Sequence, residues 1–192
     1  RLAGFTPTNG VVGSSVVITG ANFVGVTDVL FNSAPGSFSV NASNKLTAVI
    51  PTNATTGPLT IGTPGGVIIS TESFRVLPNI TSFSPAIGPV GTVVTIQGTS
   101  FLNVSNVLFN NTAAIAPSIT STQITAAVPA GATTGPIRVT TPDGVAVSTA
   151  NFTVSGPSDV RLNLTASAPL VKPGQPLTYT ITVANDGPAV MT

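Results

Sequence analysis

Residues 83–98 of this chain read Phe-Ser-Pro-Ala-Ile-Gly-Pro-Val-Gly-Thr-Val-Val-Thr-Ile-Gln-Gly, and residues 5–20 read Phe-Thr-Pro-Thr-Asn-Gly-Val-Val-Gly-Ser-Ser-Val-Val-Ile-Thr-Gly. Both stretches keep a Phe-x-Pro start and a Val-x-Ile-x-Gly end at an offset of 78 positions. The same offset places Ala54-Thr-Thr-Gly-Pro58 on Ala132-Thr-Thr-Gly-Pro136 without a gap. A repeat of this length is typical of a small domain that folds alone. We therefore predict two related domains, residues 1–77 and 78–155.

Comparison of the two copies indicates which positions are buried. In residues 16–19 and 94–97 the first and third positions stay apolar, while the second and fourth drift towards polar residues. Alternation with period two is typical of half-buried β-strands. Turn sequences such as Thr-Pro-Gly-Gly (63–66) and Thr-Pro-Asp-Gly (141–144) separate these segments, because Pro presets φ and Gly permits positive φ. Short strands with frequent turns predict an all-β sandwich or barrel.

The second copy also resembles a known family. Residues 83–98, the Val107-Leu-Phe-Asn segment and the stretch 128–144 are similar to the IPT/TIG immunoglobulin-like domain, and the first copy matches the same pattern more loosely. The resemblance implies tandem immunoglobulin-like β-sandwiches. It implies no single function, because such domains occur in bacterial surface and secreted proteins, as accessory domains of starch-acting enzymes, in receptor ectodomains and in some transcription factors.

The segment 156–192 follows a different pattern and resembles the start of another immunoglobulin-like repeat, one common in large bacterial surface proteins. It is about half as long as the preceding repeats, and two or three strands do not bury enough apolar surface to stand alone. Two alternatives remain open. Either the chain is cut within a domain, or the segment adds its strands to another chain. The strand-donating contacts would then come from Leu162, Leu164, Leu177, Tyr179, Ile181 and Val183.

The composition excludes most kinds of catalytic and metal-binding site. Charged residues make up 6% of the chain, against about 25% in ordinary globular proteins. The chain has no His and no Cys, so zinc, haem, thiol and Ser-His-Asp sites lack their usual groups. Five acidic and six basic residues leave little for paired-carboxylate chemistry or a nucleic-acid footprint. We predict no enzyme activity, no cofactor, no metal and no nucleic-acid partner.

The charged and aromatic residues are interpreted mainly as structure. No charge is repeated between the copies: Arg75, for example, corresponds to Thr153, which favours solubilising surface charge over a shared charged site. Asp143 stands alone in its turn, which favours a turn role over calcium binding. Eight of the nine Phe residues pair across the repeat, which indicates core; Phe38 and Tyr179 are left as candidates for stacking on a sugar.

Seven Asn-x-Ser/Thr sequons are possible glycosylation sites. A glycan would help to solubilise a nearly uncharged surface, although a composition rich in Asn, Ser and Thr produces such sequons by itself. The seven are Asn41, Asn53, Asn79, Asn103, Asn110, Asn151 and Asn163.

These observations favour an extracellular, non-enzymatic chain at the cell surface or secreted. No apolar run reaches the 18 or so residues of a membrane-spanning helix. Residue 1 is Arg and no signal peptide is visible, so we expect a processed product or a piece of a longer chain. Near-zero net charge promotes association, which favours self-association or packing on neighbouring immunoglobulin-like domains.

The favoured function is a stalk, spacer or filament subunit of a prokaryotic cell-surface assembly, with the C-terminal tail polymerising by β-strand addition. The alternative is an adhesive or carbohydrate-associated accessory module of a larger secreted protein, with a glycan partner.

Overall fold

The computed structural model describes residues 1–156, 160–167, 170 and 172–185. The regular secondary structure in that part of the chain consists of β-strands, so the predicted all-β class is confirmed. The strands form two sandwiches of the immunoglobulin-like type and a separate hairpin. Residues 157–159, near the start of the predicted segment 156–192, lie outside the described residues.

The first sandwich has nine strands: β1 (Leu2–Thr6), β2 (Asn9–Gly10), β3 (Ser15–Gly20), β4 (Asp28–Phe31), β5 (Ala34–Gly36), β6 (Phe38–Ala42), β7 (Lys45–Val49), β8 (Gly57–Thr63) and β9 (Gly66–Val76). One sheet has the order β1-β3-β7-β6 and the other the order β2-β9-β8-β4-β5.

The second sandwich repeats this arrangement: β10 (Asn79–Ser84), β11 (Ile87–Gly88), β12 (Val93–Thr99), β13 (Asn106–Phe109), β14 (Thr112–Ala114), β15 (Ser118–Ile119), β16 (Gln123–Ala127), β17 (Gly135–Thr141) and β18 (Gly144–Val154). Its sheets have the orders β10-β12-β16-β15 and β11-β18-β17-β13-β14. The remaining strands, β19 (Val160–Ala166) and β20 (Tyr179–Asn185), pair only with each other among the described residues.

In both sandwiches the chain changes sheets near its start. β1 runs antiparallel to β3 in the four-stranded sheet, whereas β2 runs parallel to β9 in the five-stranded sheet. The Thr6–Pro7 and Ser84–Pro85 peptide bonds between these segments are cis. One short stretch of chain therefore ties the two layers of each sandwich together.

Alternate residues of the strands fill each core as the period-two pattern predicts. Edge-to-face ring pairs lie at the centre, Phe31 on Phe74 at 5.4 Å and Phe109 on Phe152 at 5.2 Å between centroids. The Gly98 position admits no Cβ, because that atom would collide with the Phe101 ring and the Asn79 carbonyl. The closing Gly of the Val-x-Ile-x-Gly motif is therefore a packing requirement.

The two copies differ at one edge. β6 has five residues, but the matching β15 has only two. The position of Ser39, which pairs with Thr47 in the first copy, is occupied by Pro117 in the second. Proline has no N–H to give to the neighbouring strand, so the edge strand starts later.

A buried serine holds a β-bulge in each sandwich, a feature that the sequence comparison missed. The backbone N–H of Ile137 donates to Ser148 Oγ at 2.9 Å, and Ser148 Oγ donates to the Ala150 carbonyl at 2.6 Å. In the first copy Ser70 makes the matching bonds, with Leu59 N–H at 2.8 Å and the Glu72 carbonyl at 2.6 Å. The hydroxyl thus replaces the backbone partner that the bulge removes.

Ser148→Ala is expected to destabilise the second sandwich by about 1–3 kcal/mol, because the buried Ile137 N–H loses its acceptor. Ser70→Ala should shift the transition of the first sandwich in the same way. The exposed Ser118→Ala is the control and should change stability by less than about 0.5 kcal/mol. Denaturant unfolding of the full chain measures all three, and an unchanged transition in Ser148→Ala would contradict the bridging role.

Candidate functional surfaces

The polar residues shared by the two copies belong to the framework of the fold. Asn32 and Asn110 follow β4 and β13 with positive φ values of 45° and 55°. In each copy the Asn Nδ2 donates to a threonine hydroxyl, Thr55 in the first and Thr133 in the second, at 2.9 Å. This side-chain bond ties the end of one strand to the loop that precedes another.

The repeated Ala-Thr-Thr-Gly-Pro motif serves the same purpose. Thr56 Oγ1 accepts from the Val76 N–H at 2.9 Å, and Thr134 Oγ1 accepts from the Val154 N–H at 3.0 Å. A Cβ at Gly57 would collide with the Asn32 side chain. The motif therefore caps the last strand of each sandwich and leaves no repeated polar group for a ligand.

The seven sequons lie in different surroundings. Asn41, Asn53, Asn103, Asn151 and Asn163 are exposed, whereas Asn79 and Asn110 are half-buried. The Asn110 amide nitrogen, to which a glycan would be attached, is the donor to Thr133. Attachment there would break this bond, so Asn110 is the sequon least suited to carry a glycan in the folded chain.

The β19–β20 hairpin brings together five of the six residues predicted as strand-donating contacts. In the ladder Leu162 faces Val183, Leu164 faces Ile181 and Ala166 faces Tyr179. Because residues two apart share a face of a strand, these side chains lie on one face of the hairpin. Leu164 and Ile181 are 57% and 62% exposed. Leu177 lies before β20 and outside the ladder.

Each sandwich also has a cleft where its first strand runs beside its last strand without pairing to it. The clefts have volumes of about 390 Å³ beside Ile68–Glu72 and about 260 Å³ beside Ser148–Ala150. The first includes Arg1 and Glu72, but no charged residue lines the second. Both clefts expose the backbone edges of strands. Their linings do not share a pair of acidic and basic side chains.

The charged residues do not gather into a site. Within the described ranges no group of three or more Asp and Glu side chains could hold a metal ion. Arg75 was interpreted as solubilising surface charge, but its guanidinium reaches the other sandwich and donates to the Asp143 carbonyl at 2.9 Å. Its role therefore depends on a neighbour that lies 68 positions away in the chain.

No helix in the described part of the chain has the length and hydropathy needed to cross a membrane.

Comparison with known protein families finds a match to the second sandwich. Residues 78–156 match the model of the IPT/TIG domain. This range contains β10–β18, and the first sandwich has the same strand order. No curated protein matches the chain.

Solved structures resemble the chain at low identity and with TM-scores below 0.5. PbSGBP-B, a surface glycan-binding protein from Prevotella bryantii, is 19% identical with a TM-score of 0.46, over 79% of this chain and 42% of that one. A structure solved with xylogluco-oligosaccharide is 23% identical with a TM-score of 0.45, over 96% of this chain and 46% of that one. The plexin A4 extracellular region is 18% identical with a TM-score of 0.38, over 80% and 18%. The chain thus spans less than half of each of these proteins.

Asn110→Ala is expected to destabilise the second sandwich by about 1–2 kcal/mol more than Asn103→Ala. Both residues have positive φ, 55° and 51°, so both substitutions bring similar backbone strain. Only Asn110 donates to a threonine hydroxyl, and the difference between the variants isolates that bond. Thermal unfolding followed by circular dichroism measures it, and equal losses in the two variants would contradict the framework role.

Proposed function

We propose that this chain is a non-catalytic spacer of an extracellular, carbohydrate-associated surface protein. In this proposal the two sandwiches hold neighbouring parts of the protein apart, and any sugar is bound outside them. The main support for this proposal is structural. The residues repeated between the copies pack in the core, hold the bulges or cap the last strands.

The interior explains why little is left for chemistry. Six of the nine Phe rings are about 1–2% exposed, and Phe5, Phe38 and Phe83 are half-buried. The shared hydroxyls of Ser70, Ser148 and the two Thr-Thr pairs already have backbone or side-chain partners. A module built in this way provides length, and its composition offers few groups for general acid, general base and nucleophile roles.

The carbohydrate association corresponds to the alternative function in the sequence analysis, an adhesive or carbohydrate-associated accessory module. PbSGBP-B, compared above, is a surface glycan-binding protein, and the second structure was solved with a xylogluco-oligosaccharide. Within the described residues Tyr179 is the aromatic side chain with a largely exposed ring, at 59%. An exposed ring on a strand is the kind of surface that could stack on a sugar.

Native gel electrophoresis in xyloglucan and in mixed-linkage glucan tests the spacer function. The sandwiches present no exposed ring and the hairpin offers a single one, Tyr179, so the purified chain is expected to migrate as it does in gels without polysaccharide. Retardation of the chain would overturn the spacer function in favour of a binding module. Tyr179→Ala, with Tyr179→Phe as the control that keeps a ring, then shows whether the hairpin holds the sugar.

A second candidate is self-assembly through the hairpin, which its exposed one-sided apolar face favours. A two-stranded hairpin is marginally stable by itself, so this face gains by being covered. A second copy of the chain would supply an uncharged strand edge or an identical face, without charge repulsion between the copies.

Sedimentation velocity at rising protein concentration tests this candidate. The chain is expected to self-associate, and Leu164→Asn or Ile181→Asn should weaken the association at least tenfold by removing apolar area from the face. Thr182→Asn, on the opposite face, is the control and should leave it unchanged. A chain that stays monomeric at high concentration would contradict the assembly function and would not affect the spacer function.

A further inference from the structure

The connection between the two sandwiches is unusually short. The Leu77 N–H donates to the Gly10 carbonyl at 2.8 Å, which holds Leu77 to the first sandwich. Asn79 already pairs with Thr99 in the second sandwich. Only Pro78 lies between these two fixed points, and its ring restricts φ to about −65°. Few backbone torsions therefore remain free at the junction.

Side chains close the junction from the other side. The turn between β17 and β18 lies against the end of the first sandwich, where Arg75 Nη2 donates to the Asp143 carbonyl at 2.9 Å and approaches the Pro142 carbonyl at 3.5 Å. A Cβ at Gly144 would lie 3.1 Å from Leu77 Cδ2, so the turn packs directly on the linker.

The acceptors are backbone carbonyls, so the contact does not need the Asp143 carboxylate. A guanidinium carries several donors in one plane, which suits two adjacent carbonyls. The contact therefore depends more on the backbone conformation of the turn than on the side chains that the turn carries. Arg75 supplies the charged donor of this contact.

We infer that Arg75 is an inter-domain anchor that fixes the second sandwich in one orientation on the first. The partner surface is the turn Pro142–Gly144 of the second sandwich. Arg75 contacts this turn through its backbone carbonyls. The anchor is particular to this junction, because the second copy carries Thr153 at the position of Arg75. This inference goes beyond the spacer function, which a freely jointed pair of sandwiches would also serve.

The repeat itself supplies matched variants. Arg75→Thr introduces the residue that the second copy has at the same place in β18, so the strand is known to accept it. Arg138→Thr introduces the residue of the first copy, Thr60, and removes an arginine that lies within β17. The two variants have the same change in charge and composition, and only the first removes the anchor.

Distances between spin labels measure the orientation in the full chain. The sequence has no cysteine, so Ser39→Cys and Ser118→Cys place one label on an exposed edge strand of each sandwich. Double electron–electron resonance should give one narrow distance distribution in the parent and in Arg138→Thr. In Arg75→Thr the distribution should at least double in width, and Asp143→Asn should leave it narrow.

Two results would overturn the inference: a broad distribution in the parent chain, or an unchanged narrow one in Arg75→Thr. Unfolding transitions of the labelled proteins show that both sandwiches are intact. If Arg75→Thr alters those transitions, Arg75→Lys keeps the charge but cannot span both carbonyls, and it should give an intermediate width. A width in Arg75→Lys equal to that of the parent would then count against the anchor.

Discussion

The structure depends on the closure of two sheets over one face of every long strand. The chain has no cysteine, so no disulfide holds the layers together. Burial of alternate apolar residues therefore supplies most of the stabilisation, at about 25 cal/mol for each Å² removed from water. The switch of the first strand between sheets and the paired Phe rings join the layers. All other features are placed relative to these two cores.

The strands and the cores could be predicted because they obey a local period. Positions such as Val16 and Ile18 repeat as apolar residues every second place, and the second copy shows which neighbours vary. The bulge serines could not be found in this way. Ser70 occupies an ordinary polar position in the sequence, and its function appears only when the Leu59 N–H lies opposite without a carbonyl partner. A tertiary bond of this kind leaves no periodic signal.

The surfaces were predicted less well than the cores, for the same physical reason. The hairpin face could be predicted, since alternation within residues 160–166 and 179–185 places its apolar side chains together. Asn110 looked like any other sequon, because its bond to Thr133 joins residues 23 positions apart. Arg75 looked like a solubilising charge, because its acceptor belongs to another sandwich. Contacts between distant segments determine these roles, and neither composition nor spacing records them.

The duplication separates residues that serve the fold from residues that serve the particular protein. A residue needed by the sandwich is needed twice, as Asn32 and Asn110 show with their identical bonds. A residue present in one copy only is free to serve something outside a single sandwich, and Arg75 does so by binding the next one. The same argument directs attention to Arg138 and Glu72, whose counterparts are Thr60 and Ala150. The matched positions are committed to the fold, so the unmatched ones are where the two sandwiches can differ in their surroundings.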